Sequence, residues 1–201
     1  MSANLRSMKL IVVRHGQTTE NAQNIIQGQL PGTLSQKGIE QVKATAEKLK
    51  SVQLDAIYCS DLARCVDTAA IIARYHPNQK IVYTKLLRER KGGNLEGQVL
   101  NTAYWESLPG TEQSRRYPGG GESWEDVKTR VKPFLNKLFV DHQKDTVLLV
   151  THGGVIRSIR AYMENIPLSE LDNDGNPNAG IWNFDMADAI NWKLFDKPVD
   201  R

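Results

Sequence analysis

The chain has 201 residues, 40% hydrophobic and 24% charged, with 15 Gly and 8 Pro; at roughly 100 to 200 residues per domain this predicts one domain, 1–201, able to bury about 70% of the unfolded surface. Net charge is 26 − 23 = +3, too small to indicate a nucleic-acid partner. No apolar run approaches the ~18 residues that cross a bilayer, and Leu10 to Val13 is too short for a signal-peptide core, so a cytoplasmic protein with no membrane partner is expected.

After a polar leader, Lys9 to Val13 is a short β-branched run ending at Arg14-His15-Gly16, which predicts a buried strand delivering a polar turn. A long loop follows. Ser35 then caps a helix in which Ile39, Val42, Ala46 and Leu49 recur at helical spacing. Asp55 to Cys59 predicts a second strand, running through Ser60-Asp61 into a helix with Leu62, Val66, Ala69, Ala70 and Ala73 on one face and Arg64 in its first turn. Lys80 to Thr84 is a third strand, followed by the charged stretch Arg88-Glu89-Arg90-Lys91 and the turn Gly92-Gly93.

Residues 93–121 carry little periodicity and end in Pro118-Gly119-Gly120-Gly121, so they read as an excursion over the surface. Loops this long inside compact domains are usually functional or disordered. Ser123 and Asp126 form a capping box, and Val127, Val131, Phe134, Leu135 and Leu138 line a helix that Pro133 should kink. Asp145 to Val150 is the clearest buried strand; it ends at Thr151-His152-Gly153-Gly154 before the helix Val155 to Met163. Ile181 to Asp185 and Ile190 to Leu194 read as a closing hairpin. Strands alternating with helices predict an α/β layered fold with a mostly parallel sheet.

In open α/β sheets the ligand crevice lies beyond the carboxyl ends of the strands. Arg14-His15-Gly16, Arg64 and Thr151-His152-Gly153 all fall there. Two arginines and two histidines without an obvious set of metal carboxylates point to a pocket for a dianion, because guanidinium binds phosphate bidentately and histidine can donate to it. A neutral imidazole can also attack phosphorus. Singly, each residue has a plainer explanation: a histidine after a strand is often structural, and Glu89 between Arg88 and Arg90 reads as a surface ion pair. Residues 1–92 hold 14 Lys/Arg against 7 Asp/Glu, and 93–201 hold 12 against 16, an asymmetry that can concentrate a small anion. Two other phosphate chemistries fail on counting. Cys59 and Arg64 are one position too close for a Cys-x5-Arg loop, and no G-x-x-x-x-G-K-[ST] stretch is present. Two cysteines make neither a disulfide framework nor a zinc site.

Arg14-His15-Gly16-Gln17-Thr18 resembles the signature of the histidine phosphatase superfamily, the phosphoglycerate-mutase-like proteins. Leu10 to Asn21, Ser60 to Arg64 with Thr68, Leu87 to Glu89, Leu95 to Gly97, Pro118 to Ser123 and Val150 to Arg157 are similar to the family's blocks, in family order. Gln17 departs mildly, since many members have glutamate there. The resemblance covers about residues 8 to 185 and implies a three-layer α/β/α sandwich. It implies that His15 becomes phosphorylated, that Arg14, Arg64 and His152 hold the phosphoryl oxygens, and that Glu89 is the general acid and then the base. It further implies substrate contacts at Asn21, Gln27, Gly28, Thr33 and Gly153, with Arg115 and Arg116 reaching from the excursion to a second anionic group, and no metal or cofactor.

Arg88-Glu89-Arg90 before Gly92-Gly93 and the pair Arg115-Arg116 resemble the mutases. The short chain, Gly153 to Arg157 and the Pro118 to Ser123 turn resemble the phosphatases, and Leu87 to Gly97 most resembles the fructose-2,6-bisphosphatase-like branch. The implied activity is therefore metal-independent hydrolysis of a small phosphorylated metabolite such as a sugar phosphate or phosphoglycerate. The alternatives are a cofactor-dependent phosphoglycerate mutase and a catalytically silent phosphate-binding module, and a homodimer is left open.

Overall fold

The computed structural model describes residues 7–99, 101–109, 115–164, 166 and 176–187. Its centre is a five-stranded sheet in the order β3-β2-β4-β1-β5, made of β1 (Ser7–Arg14), β2 (Ala56–Ser60), β3 (Ile81–Thr84), β4 (Thr146–Thr151) and β5 (Ile181–Ala187). All pairings are parallel except that of β5, which runs antiparallel to β1. The helices are α1 (Thr19–Ala22), α2 (Gln36–Leu49), α3 (Ala63–Ala73), α4 (Thr102–Ser107), α5 (Trp124–Asp141) and α6 (Gly153–Glu164). None of them is long and apolar enough to cross a membrane.

Alternation along the strands divides the interior into two cores. Leu10, Val12, Val147 and Leu149 pack with Val127, Val131, Leu135 and Leu138 of α5 and Val155 and Ile159 of α6. Ile11, Val13, Ile57, Leu148 and Val150 face the other way, onto Val42, Ala46 and Leu49 of α2 and Cys65, Ala69 and Ile72 of α3. Helices on both faces explain why the central strands read as continuous apolar runs, and they complete the expected three layers. Register then places the chemistry. Arg14 of β1 lies opposite Thr151 of β4, and the His15 N–H donates to the Thr151 carbonyl at 3.0 Å. His15 and His152 therefore leave neighbouring parallel strands at the same level.

Two expectations need correction. The buried face of α3 is Arg64, Cys65, Thr68, Ala69 and Ile72, whereas Ala70 is exposed and Val66 and Ala73 are half-buried. Arg64 and Thr68 are polar yet buried, their hydrogen bonds met largely by backbone groups, and an apolar pattern cannot show that. The excursion is also less irregular than its sequence: it contains a 3-10 turn at Gly93–Leu95 and α4, whose first turn is tied by the Tyr104 N–H donating to Asn101 Oδ1 at 3.0 Å. A helix of six residues is too short to show a period. α5 runs as one helix from Trp124 to Asp141 with Pro133 inside it, and Val127, Val131, Phe134, Leu135 and Leu138 are its buried stripe, as expected. The second arm of the expected hairpin, Ile190 to Leu194, lies outside the described residues, as does the leader before Ser7.

Candidate active site

His15 is almost fully buried at the end of β1. Its Nδ1 lies 2.8 Å from the Gly16 carbonyl, which can only accept, so Nδ1 carries the ring proton and Nε2 presents a lone pair. Arg64 Nε donates to that Nε2 at 3.3 Å. The rest of the Arg64 guanidinium donates to backbone carbonyls of the preceding loop: Leu30 at 2.6 Å, Pro31 at 3.2 Å and Gly28 at 2.8 Å. Arg64 is thus a fixed cation whose one bond into the site rests on the histidine lone pair. Thr68, one turn along α3, accepts from the Gly16 N–H at 3.2 Å and donates to the Arg64 carbonyl at 2.7 Å, joining the two segments.

Arg14 donates through Nη1 to the Asn176 carbonyl, while its buried Nε has no partner among the described residues. Burial chiefly, then Arg64 and Arg14, holds the His15 imidazole well below its ordinary titration range. His152 packs edge-on to His15 with ring centroids 5.2 Å apart, and its Nε2 lies 2.8 Å from Ser60 Oγ. Burial, followed by Arg64 and His15, pushes it down in the same direction. Both rings are therefore neutral at physiological pH. Burial pushes the thiols of Cys59 and Cys65 upward, so neither is a thiolate there.

Glu89 stands opposite, with Oε1 accepting from the Arg90 N–H at 2.8 Å and Oε2 from the Gly154 N–H, the second residue of α6, at 3.2 Å. A Cβ at Gly154 would lie 2.3 Å from Glu89 Oε1 and 2.9 Å from the Trp124 ring. Glycine is required there because the carboxylate lies on the helix backbone. Arg14, Arg64 and two neutral histidines, gathered together near the Glu89 carboxylate, can bind a dianion, accept its phosphorus and exchange a proton with the departing oxygen.

The sequence model of the histidine phosphatase superfamily (branch 1) matches residues 10–193. The chain belongs to that superfamily. Several of its relatives are phosphatases by name, and one, in Arabidopsis thaliana, is a phosphoglycerate mutase-like protein. The metal-independent phosphoserine phosphatase of Arabidopsis thaliana is 36% identical over 158 residues, 75% of this chain, and the chain spans about two thirds (66%) of that protein's length. The glucosyl-3-phosphoglycerate phosphatase of Mycolicibacterium vanbaalenii is 34% identical over 190 residues, covering 89% of this chain and 84% of that protein. The native structure of a mycobacterial glucosyl-3-phosphoglycerate phosphatase superimposes with a TM-score of 0.77 at 29% identity, over 90% of this chain and 91% of the other. The chain is thus a histidine phosphatase of the phosphatase branch, a phosphomonoester hydrolase with a phosphoglycerate-mutase-like fold.

The fold brings His15, Arg14, Arg64, His152 and Glu89 of this histidine phosphatase to one end of the sheet, with Gly153 beside Arg14, its Cβ position 3.4 Å from the guanidinium. Asn21 joins them: Asn178 Nδ2 donates at 3.3 Å both to Asn21 Oδ1 and to the His15 carbonyl. Gln27 is buried beside Gly32 and the Arg64 stem, and Gly28 supplies a carbonyl to Arg64. Thr33 is exposed, with its N–H on Glu20 at 3.3 Å. Arg116 pairs with Asp126 of the α5 cap and is largely exposed, and Arg115 is half-buried. Sequence reasoning did not single out Asn176 and Asn178, which hold Arg14 and His15 from the segment just before β5. An Asn-Pro-Asn turn signal was their only local mark.

The two buried histidines give the protein a pH signature. A histidine whose folded pKa is depressed leaves the unfolded chain binding more protons, so stability is lost as pH falls below about 6.5, by up to ~1.4 kcal/mol per pH unit for each ring. Urea unfolding between pH 7 and 5.5 is expected to show His15→Ala gaining stability relative to the wild type as pH falls. Parallel pH dependences for the two proteins would show that His15 is not held neutral.

Proposed function

We propose that this histidine phosphatase hydrolyses its phosphomonoester through a phosphohistidine on His15, without a metal. The observation that carries the reading is the His15 ring itself, neutral, with Nδ1 committed to a carbonyl and Nε2 presenting a lone pair beside two arginines. Nε2 attacks phosphorus as Arg64 Nε turns from that nitrogen to a phosphoryl oxygen; Arg14 and His152 take up the remaining charge. The P–O ester bond breaks, and Glu89 protonates the departing alkoxide to give the alcohol. Water then loses a proton to the Glu89 carboxylate and attacks phosphorus, the P–N bond breaks, and inorganic phosphate leaves with His15 and protonated Glu89 restored. The stabilising charges are guanidinium groups, which perform at the equatorial oxygens the task a metal performs elsewhere.

The substrate proposed is a small phosphorylated metabolite of the sugar-phosphate or phosphoglycerate type. The relatives named for phosphoserine, glucosyl-3-phosphoglycerate and fructose-2,6-bisphosphate support that class. A cavity of about 520 Å³ also supports it, lined among others by Asn94, Gln98, Asn101, Tyr104 and Tyr117 and, among the described residues, by no charged side chain. It adjoins the site through Tyr117, whose ring lies 4.5 Å from the guanidinium of Arg90, the residue after Glu89. Amides and tyrosines suit hydroxyl groups on the alcohol half of the ester. A cytoplasmic location belongs to the same proposal, in keeping with two buried, unpaired cysteines.

The test is a panel of phosphomonoesters assayed for inorganic phosphate with and without EDTA, with acid- and alkali-quenched samples examined for label on protein. Phosphate release indifferent to EDTA, with an acid-labile, alkali-stable phosphoprotein, is expected. An isomerised ester without net phosphate release, or activity restored only by added metal, would overturn the reading.

A further inference from the structure

The carbonyls of Leu86, Leu87 and Glu89 accept hydrogen bonds from buried or half-buried side chains. Thr151 Oγ1 at the end of β4 donates to the Leu87 carbonyl at 2.7 Å, and Gln29 Nε2 donates to the Glu89 carbonyl at 3.1 Å. Arg130, two turns into α5, takes two positions in this segment: Nη1 donates to the Leu86 carbonyl at 2.7 Å and Nη2 to the Glu89 carbonyl at 3.1 Å. The same guanidinium forms a two-point pair with Glu122, Nε to Oε1 at 2.9 Å and Nη2 to Oε2 at 3.1 Å. Both side chains are largely buried, at 16% and 20% exposure, so this pair is screened far less than a surface one.

Glu122 in turn closes the base of the excursion. Its backbone N–H donates to the Lys91 carbonyl at 2.9 Å, and its Oε2 accepts from the Lys91 N–H at 2.9 Å. One step further out, the Asn94 N–H donates to the Pro118 carbonyl at 2.8 Å. Gly93, at φ 58°, allows this approach, since a Cβ there would sit 2.1 Å from the Pro118 oxygen. The two ends of the excursion are zipped together, and one arginine joins that zip to the backbone of the carboxylate residue.

We propose that Arg130 is a positioning residue for Glu89: through the Leu86 and Glu89 carbonyls and the Glu122 carboxylate it sets where the proton-transferring carboxylate stands and couples it to the base of the excursion. The proposal rests on the acid–base role of Glu89 given above. From one fixed plane Arg130 makes four hydrogen bonds, to two carbonyls and both oxygens of a carboxylate, one more than the three donors of a lysine could make.

The test compares Arg130→Gln, Arg130→Lys and Glu89→Gln, and the double variant Glu89→Gln with Arg130→Gln, in single-turnover formation of phosphoprotein from an alkyl phosphate and from p-nitrophenyl phosphate. Both Arg130 variants are expected to slow alkyl transfer about 10- to 100-fold, the scale of a small misplacement. Nitrophenyl transfer should slow by less than about threefold, because that leaving group needs little protonation. In the Glu89→Gln background the Arg130 change should add less than about threefold, since the group it positions is already gone. Equal losses for both esters, full multiplication in the double variant, or a fully active Arg130→Lys would overturn the proposal while leaving the role of Glu89 intact. An active Glu89→Gln would instead remove the reading on which it rests. If Arg130→Gln does not fold, the same comparisons are made with Arg130→Lys alone.

Discussion

His15→Ala is expected to lower turnover by at least ~10⁴-fold, about 5.5 kcal/mol of barrier, while leaving the fold intact. The size follows from what is removed. Arg14, Arg64 and His152 would still bind the dianion, but no lone pair would face phosphorus, and water would have to attack directly. The fold survives because β1 is held by its pairing with β4 on one side and β5 on the other, from Ser7 to Arg14, before the histidine is reached. Circular dichroism and a thermal melt serve as the fold control. Quenching the wild type during turnover with labelled ester should place the label on His15, and the variant should carry none. A label on His152, or a variant that keeps more than about a hundredth of the activity, would sink the assignment.

The strands were the most legible part of the fold, above all β1, β2 and β4, which are short and largely buried runs leading into polar segments. The amphipathic helices α2 and α5 were legible through capping by Ser35 and Ser123, which the structure shows accepting from Gly38 and Asp126. Legibility failed wherever burial is polar. The inward face of α3 carries Arg64 and Thr68, which any hydrophobic count assigns to solvent, so the predicted face was turned toward Ala70. α4 failed for a different reason, its six residues giving no period.

Much of the candidate site could be read for a topological reason: strand ends of a parallel sheet collect at one edge, and the polar turns after β1 and β4 meet there. Arg64 and Glu89 were nameable through family resemblance, but their partners were not. Arg64 is fixed by the carbonyls of Gly28, Leu30 and Pro31, and Glu89 by the N–H groups of Arg90 and Gly154. Backbone groups are the same at every residue, so a sequence carries no mark of which ones a side chain will find. Arg116 illustrates the converse. Its charge was readable and suggested an anion, yet Asp126, ten residues on, pairs with it in the structure.

Glu89→Gln is expected to lower steady-state turnover of an alkyl phosphate by about 10² to 10⁴, the usual range for general acid–base catalysis. Glutamine is close in size but not silent in this site. The two carboxylate oxygens each accept a backbone N–H, from Arg90 at 2.8 Å and Gly154 at 3.2 Å; an amide offers one acceptor and sets its NH2 against the other N–H. Glu89→Ala is therefore the companion variant, free of that donor–donor conflict. Two steps need the carboxyl group, and they separate by leaving group. Protonating an alkoxide is essential, whereas p-nitrophenolate departs largely unaided, so the variants should form phosphoprotein from p-nitrophenyl phosphate at close to the wild-type rate. Activation of water is needed whatever departed, so that phosphoprotein should then persist. Rapid mixing should show a burst of nitrophenolate, near one per enzyme, followed by a slow steady state. Equal slowing of both esters with no burst would mean that Glu89 only holds the start of α6, and the proton would have to be carried by another group.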